Sequence, residues 1–74
     1  MTKILGNLVK NEIGRWEIEG HEFSSGSCLE IQLDKKWIKG CIEHAQGDYY
    51  FYTSSEGIQL SLTTGMKARV TFNI

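Results

Sequence analysis

The feature that most limits how this 74-residue chain can fold is the alternation of apolar and polar residues in its middle. Every second residue of Cys28–Leu33 is apolar, which is the period of a β-strand with one buried face. A two-residue loop at Lys35-Lys36 would return the chain as a second strand with its apolar residues on that same face. The expected pairs are Leu33 with Ile38, Ile31 with Gly40, and Leu29 with Ile42.

A second hairpin follows from the same pattern. Gln46 and Gly47 form its expected tip, because glycine readily adopts the positive φ of a tight turn. This tip places Ile42 opposite Phe51 and His44 opposite Tyr49 on the inner face. Both hairpins bury the same side of their shared strand, so the pattern predicts three consecutive antiparallel strands.

Short strands separated by turn residues continue on both sides of this centre. Residues 3–9 fit a strand, although their apolar positions also fit one face of a helix. Residues 15–19 alternate with Trp16 and Ile18 inward, and residues 66–72 form a closing strand with Ala68, Val70 and Phe72 inward. Residues 54–65 hold turns and either a strand or an ordered loop.

These short strands predict one all-β domain spanning residues 1–74. A small sheet of five to six antiparallel strands must curl to bury one face and protect its edges. We therefore expect a small SH3-like barrel.

Charge and composition exclude several classes of protein. The net charge of −1 argues against binding nucleic acid mainly through phosphate contacts, which usually needs a basic excess. The absence of proline excludes proline-rich ligands and switches based on proline isomerisation. No signal peptide and no membrane span is visible in the sequence, so the expected location is the cytoplasm.

The chain contains two cysteines, Cys28 and Cys41. In the expected register they lie opposite Glu43 and Glu30, as diagonal neighbours that are too far apart for a disulfide. Because cytoplasmic thiols stay reduced, both are expected to be free. The cysteines and the two histidines lack the paired spacing of zinc ligands, so no metal or other cofactor is expected.

No pattern of a catalytic site stands out. The chain has neither a nucleophile elbow nor a glycine-rich phosphate loop. His44 falls on the expected inner face beside Tyr49, where a partly buried structural histidine is the better interpretation. The outward glutamates alternate along strands, as residues that protect and solubilise a sheet do. We expect a protein that is not an enzyme.

The order of several short motifs resembles one protein family. These motifs are Gly6-Asn-Leu-Val-Lys-Asn-Glu12, Gly14-Arg-Trp-Glu-Ile18, Leu29-Glu-Ile31, Gly47-Asp-Tyr-Tyr50 and Gly65-Met-Lys-Ala-Arg-Val70. Over about residues 6–70 the chain resembles DUF5348, a family of small uncharacterised domains. The resemblance implies a short protein of Firmicutes plasmids, prophages or conjugative elements, and it assigns no catalytic residue. The chain departs from the family pattern by its longer segment 54–65.

The outer face of the central strands is the candidate functional site. Alternation places four large side chains there: Trp37, Lys39, Tyr50 and Tyr52. The expected register sets Tyr52 opposite Cys41 and Tyr50 opposite Glu43. Tryptophan and tyrosine combine a large contact area with a polar group and dominate protein-binding hot spots. Beside basic residues they also stack on single-stranded bases.

Three interpretations of this face are open at this point. Residues 3–9 or 54–65 fold over the rings as a second small core, or the face binds a protein, or it binds nucleic acid or a small ligand. We expect non-catalytic binding of a protein partner, with a nucleic-acid-binding small β-barrel as the alternative. The resemblance adds the hypothesis of a mobile-element or phage-type accessory protein, of which antagonism of a host defence system is one form.

Overall fold

Tight turns divide the chain into short antiparallel strands in the computed structural model, which describes residues 2–53 and 57–72. Within these residues there are nine strands and no helix, so the all-β prediction is confirmed. Their bounds are β1 Thr2–Asn7, β2 Val9–Lys10, β3 Trp16–Ile18, β4 His21–Glu22, β5 Cys28–Leu33, β6 Lys36–Ala45, β7 Asp48–Thr53, β8 Ile58–Ser61 and β9 Lys67–Phe72.

The segment 3–9 is extended rather than helical, since it supplies β1 and part of β2. Burial alternates residue by residue along β1, which is the period of a strand with one face against a core. Segment 54–65 contains β8, whereas its residues 54–56 lie outside the described part of the chain. The inward side chain expected at position 72 also lies outside the described side chains.

The strands form two sheets. The larger has the order β1-β9-β5-β6-β7-β8, and the smaller has the order β2-β3-β4. The chain returns at its end to place β9 between β1 and β5, with Thr2 opposite Phe72. The described strands form no closed barrel, because β1 and β8 remain the edges of the larger sheet. The expected barrel of five to six strands is therefore corrected to nine strands in two sheets.

The hydrophobic core lies between the two sheets. The small sheet and its flanking residues contribute Leu8, Trp16, Ile18 and Phe23, and the large sheet contributes Leu29, Ile31, Ile42, Phe51, Ala68 and Val70. The inward positions expected for Trp16, Ile18, Ala68 and Val70 are thus confirmed. Core residues from both sheets hold one face of the large sheet against the small one and leave the other face turned outward.

A glycine in β6 sets the packing at the centre of the core. A Cβ atom on Gly40 would lie 2.6 Å from Cζ of Phe51 and 2.6 Å from the carbonyl oxygen of Tyr52. Such distances are well inside van der Waals contact, so the Phe51 ring occupies the space of the missing side chain. The close approach fixes β6 against β7.

The hairpin of β5 and β6 turns one residue earlier than the sequence pattern predicts. Its loop is Asp34-Lys35, where both residues have positive φ, and Leu33 lies opposite Lys36 rather than Ile38. The expected loop at Lys35-Lys36 was wrong, and the pairing shifts by two residues. Aspartate favours the earlier turn because its short polar side chain makes the left-handed conformation less costly. A shift of two residues leaves the same side chains facing the core.

This shift brings Cys28 directly opposite Cys41, and a disulfide joins them. Their Cα atoms are 4.0 Å apart, the close spacing of a non-hydrogen-bonded antiparallel pair. The prediction of two free thiols was therefore wrong, because it depended on the diagonal placement that the later loop would produce.

The hairpin of β6 and β7 has the predicted register. Its tip is Gln46-Gly47, with positive φ at both residues as a type I′ turn requires. Ile42 lies opposite Phe51 and His44 opposite Tyr49. The pairs of Tyr52 with Cys41 and of Tyr50 with Glu43 are confirmed as well.

Candidate binding face

The outer face of the large sheet, defined here as the side turned away from the core, carries all four predicted site residues. In the described part of the chain, β1 and β8 extend the large sheet at its two edges and do not lie across this face. Lys39 is exposed, Tyr52 is 39% exposed, and Trp37 and Tyr50 are half-buried. The described segments that were candidates to bury these rings therefore leave them accessible.

The four residues fall into two groups along the sheet. Tyr50 and Tyr52 lie on β7 opposite Glu43 and Cys41 of β6. Trp37 lies six residues before Glu43 on β6, which is about 20 Å along an extended strand. Trp37 and Lys39 thus form a first group and the two tyrosines a second, with Lys39 diagonal to Tyr52 because Tyr52 pairs with Cys41.

Arg69 of β9 joins the first group and was not identified as a site residue from the sequence. Its guanidinium carbon lies 4.1 Å from the centroid of the Trp37 ring, within cation–π distance. Its Nε and Nη2 atoms donate to the two carboxylate oxygens of Glu30 at 3.0 and 3.2 Å. Because Arg69 and Glu30 are 39 positions apart, only the pairing of β9 with β5 brings them together. The one sequence signal for Arg69 was its outward position in the closing strand.

Positive charge exceeds negative charge around Glu30. The register places Arg69 on one side of Glu30 and Lys39 on the other, and Lys3 lies one strand further out opposite Thr71. The hydrogen bonds from Arg69 lower the pKa of Glu30, with further lowering from the charges of Arg69, Lys39 and Lys3, while desolvation opposes them. Three cations thus act on one carboxylate.

A cleft of about 410 Å³ opens on this face between β5 and β9. The two strands pair through Glu30 with Arg69 and Ile31 with Ala68, and their pairing stops at the ion pair. Buried Leu29 and Val70 line the cleft, and Glu30, Lys39, Arg69 and Thr71 surround them with polar groups. Cys28 also lines it, which places one sulfur of the disulfide at the cleft.

Comparison with known proteins identifies the family to which the chain belongs. A family model for a domain of unknown function, DUF5348, matches residues 6–70 of the chain. The chain belongs to the DUF5348 family. No curated protein and no solved structure matches it. The match includes Trp37, Lys39, Tyr50, Tyr52 and the cleft-lining residue Arg69. The description of DUF5348 names no activity, so a function for this member has to be inferred from its site.

One exposed apolar residue on the outer face of this DUF5348 protein was also not predicted from the sequence. Leu5 of β1 lies opposite Arg69 and is 55% exposed. The two apolar pairs in residues 3–9 gave no unique facing for the first strand. Only the pairing of β1 with β9 places Leu5 outward, beside the group of Trp37 and Arg69.

His44 lies in a different environment from the one expected. It is exposed near the end of β6 rather than partly buried, and its ring centroid is 4.7 Å from that of Tyr49. His44 lies at the rim of the core because the strand ends there. The alternation pattern predicts a facing for each residue but does not predict this exposure at a strand end. Within residues 2–53 and 57–72 of the DUF5348 chain, no three histidine, cysteine or acidic residues are grouped as metal ligands. No helix in these ranges is long and apolar enough to cross a membrane.

Proposed function

We propose that this DUF5348 protein is a non-catalytic binding module that docks a protein partner through its outer face. The observation that carries this proposal is the accessibility of Trp37, Tyr50 and Tyr52 on a sheet face that the described strands leave uncovered. Aromatic side chains in water leave apolar area unburied, and a partner that covers them gains that area. Lys39 borders these rings and provides a charged contact at their edge.

The proposed contact residues are Trp37, Lys39, Tyr50 and Tyr52. Trp37 is held by Arg69, so its ring is ordered before a partner arrives, and Tyr50 lies on a strand that is paired on both sides. An ordered aromatic ring loses little conformational freedom on binding, which is a property of hot-spot residues.

The test is a pull-down from a host lysate with the wild type and a Trp37→Ala/Tyr52→Ala variant. A partner retained by the wild type should be lost or weakened by about tenfold or more with the variant, as truncation of hot-spot residues predicts. A Glu12→Ala variant, altered at an exposed turn between β2 and β3 of the small sheet, should retain the partner. Identical partner sets for all three proteins, or no partner with any of them, would reject the proposed function.

A nucleic-acid-binding module is the second candidate. It is favoured by the stacking of Arg69 on Trp37 beside Lys39, since aromatic and basic side chains together bind single-stranded bases. It is disfavoured by Glu30 and Glu43, which interrupt the basic residues on the same face. A fluorescence-anisotropy titration with single- and double-stranded probes separates the two candidates. Affinity that falls linearly with salt on logarithmic axes supports nucleic acid, and no binding below about 100 μM discards it.

We also propose the biological setting of the protein and the fold family to which its strands are related. We infer an accessory protein of a mobile element or phage that docks on a host or element-encoded protein, with antagonism of a host defence system as one form. The support is the family resemblance for the setting, and the small size and short antiparallel strands for an SH3-like relationship. The absence of a recognisable catalytic pattern in the sequence supports a role in binding rather than catalysis.

A further inference from the structure

The cleft between β5 and β9 presents an unpaired strand edge. Cys28 and Cys41 form a non-hydrogen-bonded pair, as their Cα spacing of 4.0 Å indicates, so their backbone N–H and C=O groups point away from each other. The bond from the Ile42 amide to the Ser27 carbonyl, at 2.7 Å, agrees with this alternation. The backbone groups of Cys28 therefore point toward β9. In the described chain, however, the pairing of β5 with β9 ends at Glu30.

The surroundings of this edge are positive at the rim. Leu29 and Val70 also line the cleft, and their side chains are buried in the core. At the rim, the one carboxylate of Glu30 is already bonded to Arg69. In the described chain the ammonium group of Lys39 has no carboxylate within ion-pair distance. The cleft therefore combines an open backbone edge with positive charge that is not neutralised locally.

We propose that this cleft binds an extended, acidic segment of the partner protein. The segment pairs its backbone with Cys28 as a short added strand, and one of its carboxylates contacts Lys39. Addition of a strand to an open edge gives affinity through main-chain hydrogen bonds, while side-chain pockets give specificity. A volume of about 410 Å³ is in the range of specific ligand sites and suits a few residues rather than a folded element. This inference rests on the proposed function, since it identifies the partner's contact.

A peptide suits the cleft better than nucleic acid does. A nucleic-acid strand presents a phosphate at every nucleotide, and it would pass the carboxylate of Glu30 as well as the cations. The edge of Cys28 offers one backbone donor and one acceptor side by side, which matches another peptide backbone. The carboxylate of Glu30 and the backbone donor and acceptor of Cys28 therefore both favour a peptide with a few carboxylates over a nucleic acid.

The test is an NMR titration of the ¹⁵N-labelled, oxidised protein with two short capped peptides. One peptide alternates glutamate with valine, and the other has lysine in place of each glutamate. The acidic peptide should shift the amide signals of Cys28, Leu29 and Thr71 with a Kd below about 1 mM. The basic peptide should shift them at least about tenfold more weakly, because like charges at the rim oppose it. No cleft shifts with the acidic peptide, or equal shifts with both peptides, would overturn the proposal.

Two charge-reversed variants provide a matched control. Lys39→Glu reverses the charge of one cleft-lining cation, and Lys35→Glu makes the same change in charge at the β5–β6 turn. Lys39→Glu should weaken binding of the acidic peptide by about tenfold, whereas Lys35→Glu should change it by less than about twofold. Equal weakening by both variants would mean that net charge alone drives binding and would overturn the proposal. A short oligothymidylate that shifts these amides at lower concentration than the acidic peptide would overturn it as well.

The two proposals fail in different ways. If the acidic peptide does not bind the cleft while the Trp37→Ala/Tyr52→Ala variant loses a captured protein, the proposed function stands and the cleft inference is overturned. If that variant retains the same proteins as the wild type, the proposed function fails whatever the peptide does.

Discussion

Arg69 shows how one residue can connect elements that the sequence keeps far apart. It extends from β9, donates to Glu30 on β5, and stacks on Trp37 of β6. The ion pair is partly exposed, with 27% and 32% of the two side chains accessible, so it contributes modestly to stability. Its larger effect is to hold the guanidinium at the cleft and against the ring of Trp37.

Glu30 makes stability depend on pH. Its pKa is lowered in the folded state, first by the hydrogen bonds from Arg69, so its contribution is full above the unfolded pKa of about 4.3. The contribution is lost as pH falls through the lower folded pKa. Glu30→Gln should therefore be less stable by at most about 1 kcal/mol near pH 6, and the gap should narrow as pH falls below the unfolded pKa of about 4.3.

Chemical denaturation at a series of pH values measures this gap. Arg69→Gln serves as the control, since it removes the cation and should reduce the same pH dependence while Glu30 remains. A gap that stays constant or widens as pH falls would contradict the assignment of this effect to the ion pair.

At the scale of elements, alternation predicts which face of each strand is buried but not how two strands are aligned. The residues that it assigns inward in β3, β5 and β6 are largely in the core, because a strand has only two faces. The loop at Asp34-Lys35 differs from the expected one by a single position, yet both alignments bury the same residues. The disulfide depends on that choice, so it could not be obtained from the pattern alone.

One part of the candidate site could likewise be predicted from the sequence, and the other part could not. Trp37, Lys39, Tyr50 and Tyr52 could be placed on one face from local alternation, because the misplaced β5–β6 turn shifts the pairing by two residues and leaves each face unchanged. The cleft and Arg69 depend on β9 pairing with β5, which no nearby sequence signal specifies. The close approach of Phe51 to Gly40 could not be predicted either, because a glycine in a strand pattern does not indicate which side chain will pack against it.

The turn itself can be tested at this scale. Lys35 has a φ of 71°, a conformation that costs an ordinary residue about 1–2 kcal/mol and glycine almost nothing. Lys35→Gly should raise the free energy of unfolding by up to about 1 kcal/mol, after the added freedom of glycine in the unfolded chain is subtracted. Lys36→Gly, the same change one residue later in β6, should lower it by about 0.5–1 kcal/mol. Denaturation of the oxidised proteins compares them, and a destabilised Lys35→Gly variant would reject the turn as described.

At the scale of the whole molecule, the two ends of the fold depend on each other. β9 must pair with β1 and with β5 before the large sheet is complete, and these pairings join distant parts of the chain. Non-local pairing of this kind slows folding. Slow isomerisation of proline, in contrast, cannot contribute, because the chain contains no proline.

Refolding of the oxidised protein should therefore lack a phase of tens of seconds that grows with the time spent unfolded. Stopped-flow fluorescence of Trp16 in the core and Trp37 on the outer face follows both sides of the sheet. In a double-jump experiment the amplitudes should be the same after short and long unfolding delays. A slow phase whose amplitude rises with the delay would show another slow isomerisation in the unfolded chain.

Because β1 pairs with β9, the fold is also suited to circular permutation. Thr2 lies opposite Phe72, so a short tether could connect the two ends of the described chain. New termini opened at the Asp34-Lys35 turn would cut the loop between β5 and β6, but the bridge from Cys28 to Cys41 would still link these strands. In such a permutant, fusion partners would be attached at the turn instead of at β1 and β9.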